Sequence, residues 1–467
     1  MRRFIALSVA LLLSVLGSAF TGLAMGVWVF QHTGSAAQYG LTLLINLLPG
    51  VLFGPIAGAL VDRWNRRVIL IVSEAVSALT ILGLMLLFQA GALQTWHIFV
   101  AVGIQSLVRA VQWPALSSVV VLLAPEGQVG RANGVIMLSQ ALGNTVGFAA
   151  GGVLLLTIQL DGVLLVDFAT FLISIVILSF IQIPSPPRAE VDAPAAGGGL
   201  LAEIRAGWRV LGAHRGLIAV LLFVAALNVT LGFADALLTP MVLSFGSAAA
   251  LGLVVASMGV GAILGSASLA AWGGPRRRVV GLAGFALPLG LFLCVGALRP
   301  NSLLIMVAAL GFTVCFTIVD GTSRNILQTE VEPGVQGRVF ATYNMVGGAA
   351  LAVSYLLAGP IADRWFEPML LDGGRLADSV GAIIGTGPGR GMALLMLLTA
   401  AIAFAQPSLR GLRDRPIGTG PTSPDAEPLP VPTEARLVAI PDSPNGGAKD
   451  HAADPIATTR AGSGERG

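Results

Sequence analysis

Twelve stretches of the chain are apolar for long enough to cross a bilayer, and short polar segments separate them. The first runs from behind Arg2-Arg3 to Phe30. The others lie at 39–60, 68–88, 97–123, 132–157, 163–183, 215–243, 249–271, 279–298, 303–328, 339–361 and 390–407. A helix needs about 20 residues to cross the hydrocarbon, and inside it only a helix or a closed barrel satisfies every backbone group. The pattern therefore predicts an all-α polytopic membrane protein with twelve transmembrane helices. The first run is too long for a secretory h-region and many spans follow it, so it reads as an uncleaved helix with a cytoplasmic N-terminus.

The polar interruptions divide the chain. PSPPRAEVDAPAAGGG (184–199) has a linker's composition. Leu200, Leu201, Ile204, Trp208 and Leu211 then recur at helical spacing among Glu203, Arg205 and Arg209, as in a helix lying on the inner membrane surface. The expected division is an N-terminal six-helix bundle (1–183), a cytoplasmic linker with an amphipathic helix (184–214), a C-terminal six-helix bundle (215–407) and a disordered cytoplasmic tail (408–467). The halves also echo each other. GPIAGALVDRWNRR (54–67) ends helix 2 much as GSASLAAWGGPRRR (265–278) ends helix 8, with Gly273 where Asp62 would stand, and APEGQVGR (124–131) is matched by EPGVQGR (332–338). Two pseudo-symmetric bundles with a site at their interface follow from such repeats. Residues 363–389 are long for a loop and hold an apolar patch at 380–384, which either dips into the bilayer or caps the outer mouth.

Composition agrees with this class. Of 467 residues, 55% are hydrophobic and 11% charged, and the mean hydropathy is +0.84, too apolar for a soluble core. The net charge of +3 lies in arginines at span ends, so no nucleic-acid partner is implied. Fourteen arginines up to residue 389, among them Arg2, Arg3, Arg131, Arg276 and Arg338, fall on one side. Only Arg299, Arg364 and Arg375 fall on the other, with Arg390 at the mouth of the last helix. That asymmetry predicts both termini in the cytoplasm. Lys449 is the sole lysine and its surroundings, SPNGGAKD, do not form a phosphate loop, so no ATPase motor is expected. Cys294 and Cys315 lie within apolar runs and read as packing.

The turn at 54–67 is the most unusual polar segment. Gly54 and Gly58 allow close helix approach, and Arg63, Arg66 and Arg67 hold the turn at the cytoplasmic surface. Asp62 beside a bilayer is costly unless a cation or a helix N-terminus receives it. The plain alternative is a basic anchor with a chance aspartate. The pattern G-x-x-x-(D)-R-x-x-R-R after a second span resembles the signature loop of the major facilitator superfamily, where it latches the inner gate. The resemblance implies that Asp62 docks on the N-terminus of helix 11 near Gln336, Gly337 and Arg338, while Arg66 or Arg67 reaches Glu126. A helix-end contact of this kind is worth on the order of 1 kcal/mol and would favour the outward-open state.

Helix 5 carries Gly134, Gly143, Gly147, Gly151 and Gly152, a spacing that lets backbones touch. It resembles the drug:proton antiporter motif G-x8-G-x3-G-P-x2-G-G at every glycine, with Phe148 replacing the proline. Plain glycine-rich packing is the alternative. In helix 4, Arg109 sits mid-span, where a guanidinium must face a cavity or a counter-charge. Arg109 with Gln112 resembles the family's R-x-x-Q-G, with Trp113 replacing the glycine, and that implies modulation of a protonatable acid or contact with substrate. A structural arginine tied to backbone carbonyls is the alternative. The acids within spans are Glu74, Asp167, Asp235 and Asp320, the last four residues from Arg324 and so able to pair with it. Proton coupling requires a buried acid that changes its environment, and sequence favours Asp235 and Asp320, which Arg109 could oppose across the bundle interface. No span holds a metal-ligand or His/Asp cluster, so neither an enzyme, a metal site nor a cofactor is expected.

PGVQGRVFATYNM and AGPIADRWFEP resemble the exporter branch that includes macrolide and siderophore efflux proteins. The resemblance implies a monomeric secondary exporter in a bacterial inner membrane. Protons would be its coupling ion and an amphipathic drug or secondary metabolite its substrate. A lipid or lysolipid transporter of the same fold, and a non-transporting membrane scaffold for a biosynthetic enzyme, are the alternatives.

Overall fold

The structure is a computed structural model and describes residues 2–124, 128–182, 215–275, 278–331 and 333–405. Among these, helix is the sole regular structure. The first six helices are α1 (Arg2–Thr33), α2 (Ala36–Arg63), α3 (Arg66–Gln89), α4 (Thr95–Leu123), α5 (Val129–Thr157) and α6 (Gln159–Phe180). The second six are α7 (Arg215–Leu243), α8 (Ala248–Trp272), α9 (Arg278–Leu298), α10 (Ser302–Glu330), α11 (Pro333–Ile361) and α12 (Arg390–Ala405). Eleven are long and apolar enough to cross a membrane. The described part of α12 has 16 residues, or about 24 Å at helical rise, which falls short of a full crossing. The amphipathic helix and the tail expected from sequence lie outside the described residues.

Local chemistry sets several helix ends. Asn65, Ser247 and Asn301 accept from the first-turn amides of α3, α8 and α10. Gly273, which stands where Asp62 would be in the first repeat, ends α8 in the left-handed conformation (φ 79°), where glycine has no Cβ to clash. That repeat turns on glycines instead of presenting an acid.

The packing carries the pseudo-symmetry. In the first bundle α1 lies against α5 and α6, α2 against α4, and α3 against α4 and α6. Adding six to each number gives the second bundle: α7 with α11 and α12, α8 with α10, α9 with α10 and α12. The two principal contacts between bundles, α2 with α11 and α5 with α8, are exchanged by the same operation.

The molecule has a basic end, marked by the α2–α3 turn and the starts of α1, α5, α9 and α11, and a far end, marked by the α1–α2 and α7–α8 turns. At the far end the bundles meet backbone to backbone. A Cβ on Gly359 would strike Ala37, one on Gly40 the Tyr355 carbonyl, one on Gly152 the Ala248 carbonyl and one on Gly252 the Phe148 carbonyl. Tyr39 Oη and Thr239 Oγ1 share a hydrogen bond of 2.9 Å across the same seam. At the basic end Gly130, Gly134 and Gly337 face open space.

The long stretch after α11 folds back over the end of the second bundle, against α9 and α12. It forms a π-helical turn (Ala362–Phe366) and two short helices, Glu367–Leu370 and Gly381–Ile384, and Leu370 and Ile384 are buried. The Glu367 carboxylate accepts from the amides of Gly389 and Met392 and so caps α12. Arg390 is buried and donates to the carbonyl oxygens of Ile384 (3.0 Å) and Ala297 (3.4 Å).

Candidate functional site

A cavity of about 770 Å³ lies between the bundles. Its first-bundle wall holds most of the polar groups, Ser14 and Ser18 from α1, Tyr39 and Asn46 from α2, Gln105, Arg109 and Gln112 from α4, and Gln140 and Asn144 from α5, set among apolar residues such as Leu11, Val15 and Phe148. Its second-bundle wall is mostly apolar, with Leu238 of α7 and Val255, Met258 and Ala262 of α8, interrupted by Asp235 and Thr239. Amides in apolar spans persist only where a cavity or a partner receives them. The amides of Asn46, Gln105, Gln140 and Asn144 were readable in the sequence as this same signal.

Behind the first-bundle wall, α1, α3, α4 and α6 bring four predicted residues together. Glu74 of α3 is 3% exposed, and its carboxylate accepts from Ser14 Oγ (3.1 and 3.2 Å) and from Gln112 Nε2 (2.8 Å). Asp167 of α6 is 1% exposed; its Oδ1 accepts from Thr170 Oγ1 at 3.4 Å, and its Oδ2 has no hydrogen-bond partner among the described residues. Glu74 lies within reach of the charge of Asp167, and Asp167 and Arg109 within reach of each other's. Neither carboxylate has a cation within 4 Å among the described residues. The Arg109 guanidinium faces the cavity and forms no hydrogen bond or ion pair there among the described residues.

On the opposite wall Asp235 of α7 accepts from Tyr355 Oη of α11 at 2.6 Å. Arg109 and Asp235 thus line one cavity from different bundles. Asp320 does not line it, which corrects the expectation that it opposes Arg109. Its carboxylate accepts from Arg324 Nε (2.8 Å) on its own helix α10 and from Tyr343 Oη (2.8 Å) on α11. The Arg324 guanidinium also stacks over the Tyr343 ring at 5.0 Å and reaches Asn344 at 3.5 Å. This is a fully occupied brace between two helices. Asp320→Ala is expected to cost about 1–3 kcal/mol by stranding two donors, while solute flux per folded molecule stays within about twofold. Thermal unfolding in detergent alongside vesicle assays checks the split.

The sequence model described as Major Facilitator Superfamily matches residues 7–355. The chain belongs to the major facilitator superfamily. Macrolide efflux protein A of Streptococcus pyogenes is 26% identical over 371 residues, covering 76% of this chain and 89% of that protein. Multidrug efflux pump Tap of Mycolicibacterium fortuitum is 26% identical over 362 residues, covering 74% and 86%. Among solved structures, nucleoside transporter NupG superposes with a TM-score of 0.66 at 12% identity, over 89% of this chain and 100% of that one. A bacterial homologue of the human lysosomal transporter Spinster gives 0.65 at 16% identity, over 89% and 98%. These structural likenesses show the fold, and the superfamily match together with eleven helices long and apolar enough to cross a membrane makes the chain a multi-pass membrane transporter.

Within this superfamily fold the helix-5 glycines have distinct neighbours. Gly143, Gly147 and Gly151 face Val15, Ala19 and Phe20 of α1, forming a seam inside the first bundle. Gly152 faces Ala248 of α8 across the bundle interface, and Gly134 faces nothing within 4 Å. The segment 54–67 is described in part. Gly54, Gly58, Asp62 and Arg63 lie in the last turns of α2, and the side chains of Asp62 and Arg63 and all of Glu126 lie outside the described residues. Arg67 donates to the carbonyl oxygens of Leu178 (3.3 Å) and Ser179 at the end of α6, and Arg66 starts α3. Gln336 folds back to the carbonyls of Gln328 (2.8 Å) and Val331 (2.9 Å).

Proposed function

We propose that the protein is a secondary active exporter that exchanges protons for an amphipathic small molecule, moving between states open at either end. The supporting observation is the set of Glu74, Asp167 and Arg109, two sealed carboxylates and a guanidinium facing the cavity beside them. With both acids ionised this group carries a formal charge of −1, and one proton brings it to zero. A site that changes charge by one, next to a solute cavity, is what coupling of a proton to a solute needs. Arg109 stands between the two ligands, since a bound solute would meet its uncommitted guanidinium on one side while Asp167 lies within reach of its charge on the other. Asp235 supplies the anionic contact on the far wall. The relatives named for macrolide and multidrug efflux support an exported, drug-like substrate, and the arginine-rich end supports a bacterial plasma membrane location with both termini cytoplasmic.

The test is proton flux driven by a macrolide in vesicles reconstituted with purified protein. Arg109→Ala is expected to lower coupled flux at least about tenfold, the effect of ~1.4 kcal/mol in the coupling free energy. Asp235→Asn is expected to raise the solute concentration needed for half-maximal flux. Wild-type flux from both well-folded variants would remove the assignment, and phospholipid flipping without proton movement would favour a lipid transporter.

A further inference from the structure

Where α11 ends, its chain continues into the other bundle's territory. Asp363 follows α11 of the second bundle, yet its carboxylate is spent on the first turn of α2 in the first bundle. Oδ1 accepts from Ala36 N (3.1 Å), and Oδ2 accepts from Ala37 N (3.0 Å) and Ser35 Oγ (2.7 Å). The first amides of a helix lack partners within it and carry the positive end of its dipole, so a carboxylate seated there is held by both hydrogen bonds and charge. Asp363 makes no ion pair with its neighbour Arg364 among the described residues. Beside it, Gly359 lies so close to Ala37 that a Cβ would strike backbone, so the bundles are in full contact at this point.

We propose that Asp363 is the gate residue of the far end. Seated on α2, it holds the bundles in the state closed there, and it must let go when the cavity opens on that side. This rests on the alternating movement proposed above but not on protons or substrate. A sequence echo supports it. GPIA followed by DRW occurs twice, in GPIAGALVDRW (54–64) at the end of α2 and GPIADRW (359–365) at the end of α11. These two helices are antiparallel partners across the bundle interface, so the two copies sit at opposite ends of one helix pair. In the second copy the aspartate is seated where the partner helix begins. Rocking the bundles about mid-helix separates one end as it closes the other, so the Asp363 contact belongs to one of the two states alone.

Electron paramagnetic resonance distances between spin labels at Ala92 and Arg299, in far-end turns of different bundles, read this gate directly. Labelling uses full-length protein with Cys294→Ser and Cys315→Ser, which removes the free thiols. Asp363→Asn leaves one oxygen to serve three donors, and it is expected to raise the ratio of long to short distances about tenfold. Ser35→Ala, which removes one donor, is expected to raise it about threefold. Unchanged distance distributions in monodisperse Asp363→Asn protein would overturn the proposal. Should that variant not fold, an unchanged distribution in Ser35→Ala would do the same. Widened distances in a protein that moves no protons would keep the gate and discard the antiport reading.

Discussion

Glu74→Gln is expected to abolish solute-driven proton movement, by about a hundredfold or more, while solute binding to detergent-solubilised protein changes less than about threefold. The substitution keeps size and one acceptor oxygen, so Ser14 retains a partner. It removes the ability to exchange a proton, and its amide nitrogen would confront the Gln112 amide that now donates to Glu74 at 2.8 Å. Because Glu74 is sealed behind the cavity wall and is not among the residues lining it, loss of a direct solute contact would not explain a selective fall in flux. Asp167→Asn should act in the same direction, since Glu74 lies within reach of the charge of Asp167. Fluorescence of a pH dye inside vesicles, paired with labelled-solute binding, separates the two readouts. Proton flux at the wild-type rate in Glu74→Gln would exclude this acid as the carrier.

The second large effect concerns glycine. Gly152→Ala is expected to lower transport at least about tenfold or to prevent folding, because its methyl group would overlap the Ala248 carbonyl where α5 and α8 meet. Gly134→Ala, in the same helix and the same sequence motif, should leave transport near the wild-type level. It should raise stability by up to about 1 kcal/mol, since its Cβ meets nothing within 4 Å and alanine favours helix. Solute uptake into everted vesicles, normalised to protein level, compares the two. Equal loss in both variants would mean that the motif acts through something other than packing at the bundle seam.

The helices and the two-fold relation between the halves were legible in the sequence because hydrocarbon imposes length and apolarity directly on the chain. The repeats at 54–67 and 265–278 marked equivalent helix ends, and Gly273 shows how the second repeat replaced an acid by a turn. The site was legible as an inventory, not as an arrangement. Periodicity places Glu74 and Asp167 on helices without saying which faces converge, and only packing of α3 and α6 with α1 and α4 brings them near Arg109. Asp320 was over-read, because its satisfaction by Tyr343 depends on a contact 23 residues away that spacing does not encode. Asp363 was passed over as a loop residue, since its partners are backbone amides more than 300 positions earlier.

The unequal walls of the central cavity carry a consequence for how such a protein diversifies. Hydrogen-bonding handles crowd one side, and a greasy, thioether-bearing surface forms much of the other. Enlarging or trimming Met258, Val255 or Ala262 would then change which sizes of solute fit, leaving Glu74, Asp167 and Arg109 on the opposite side undisturbed. The range of solutes the cavity admits can therefore shift through single changes in one half of the chain while the buried acids and Arg109 of the other half keep their places.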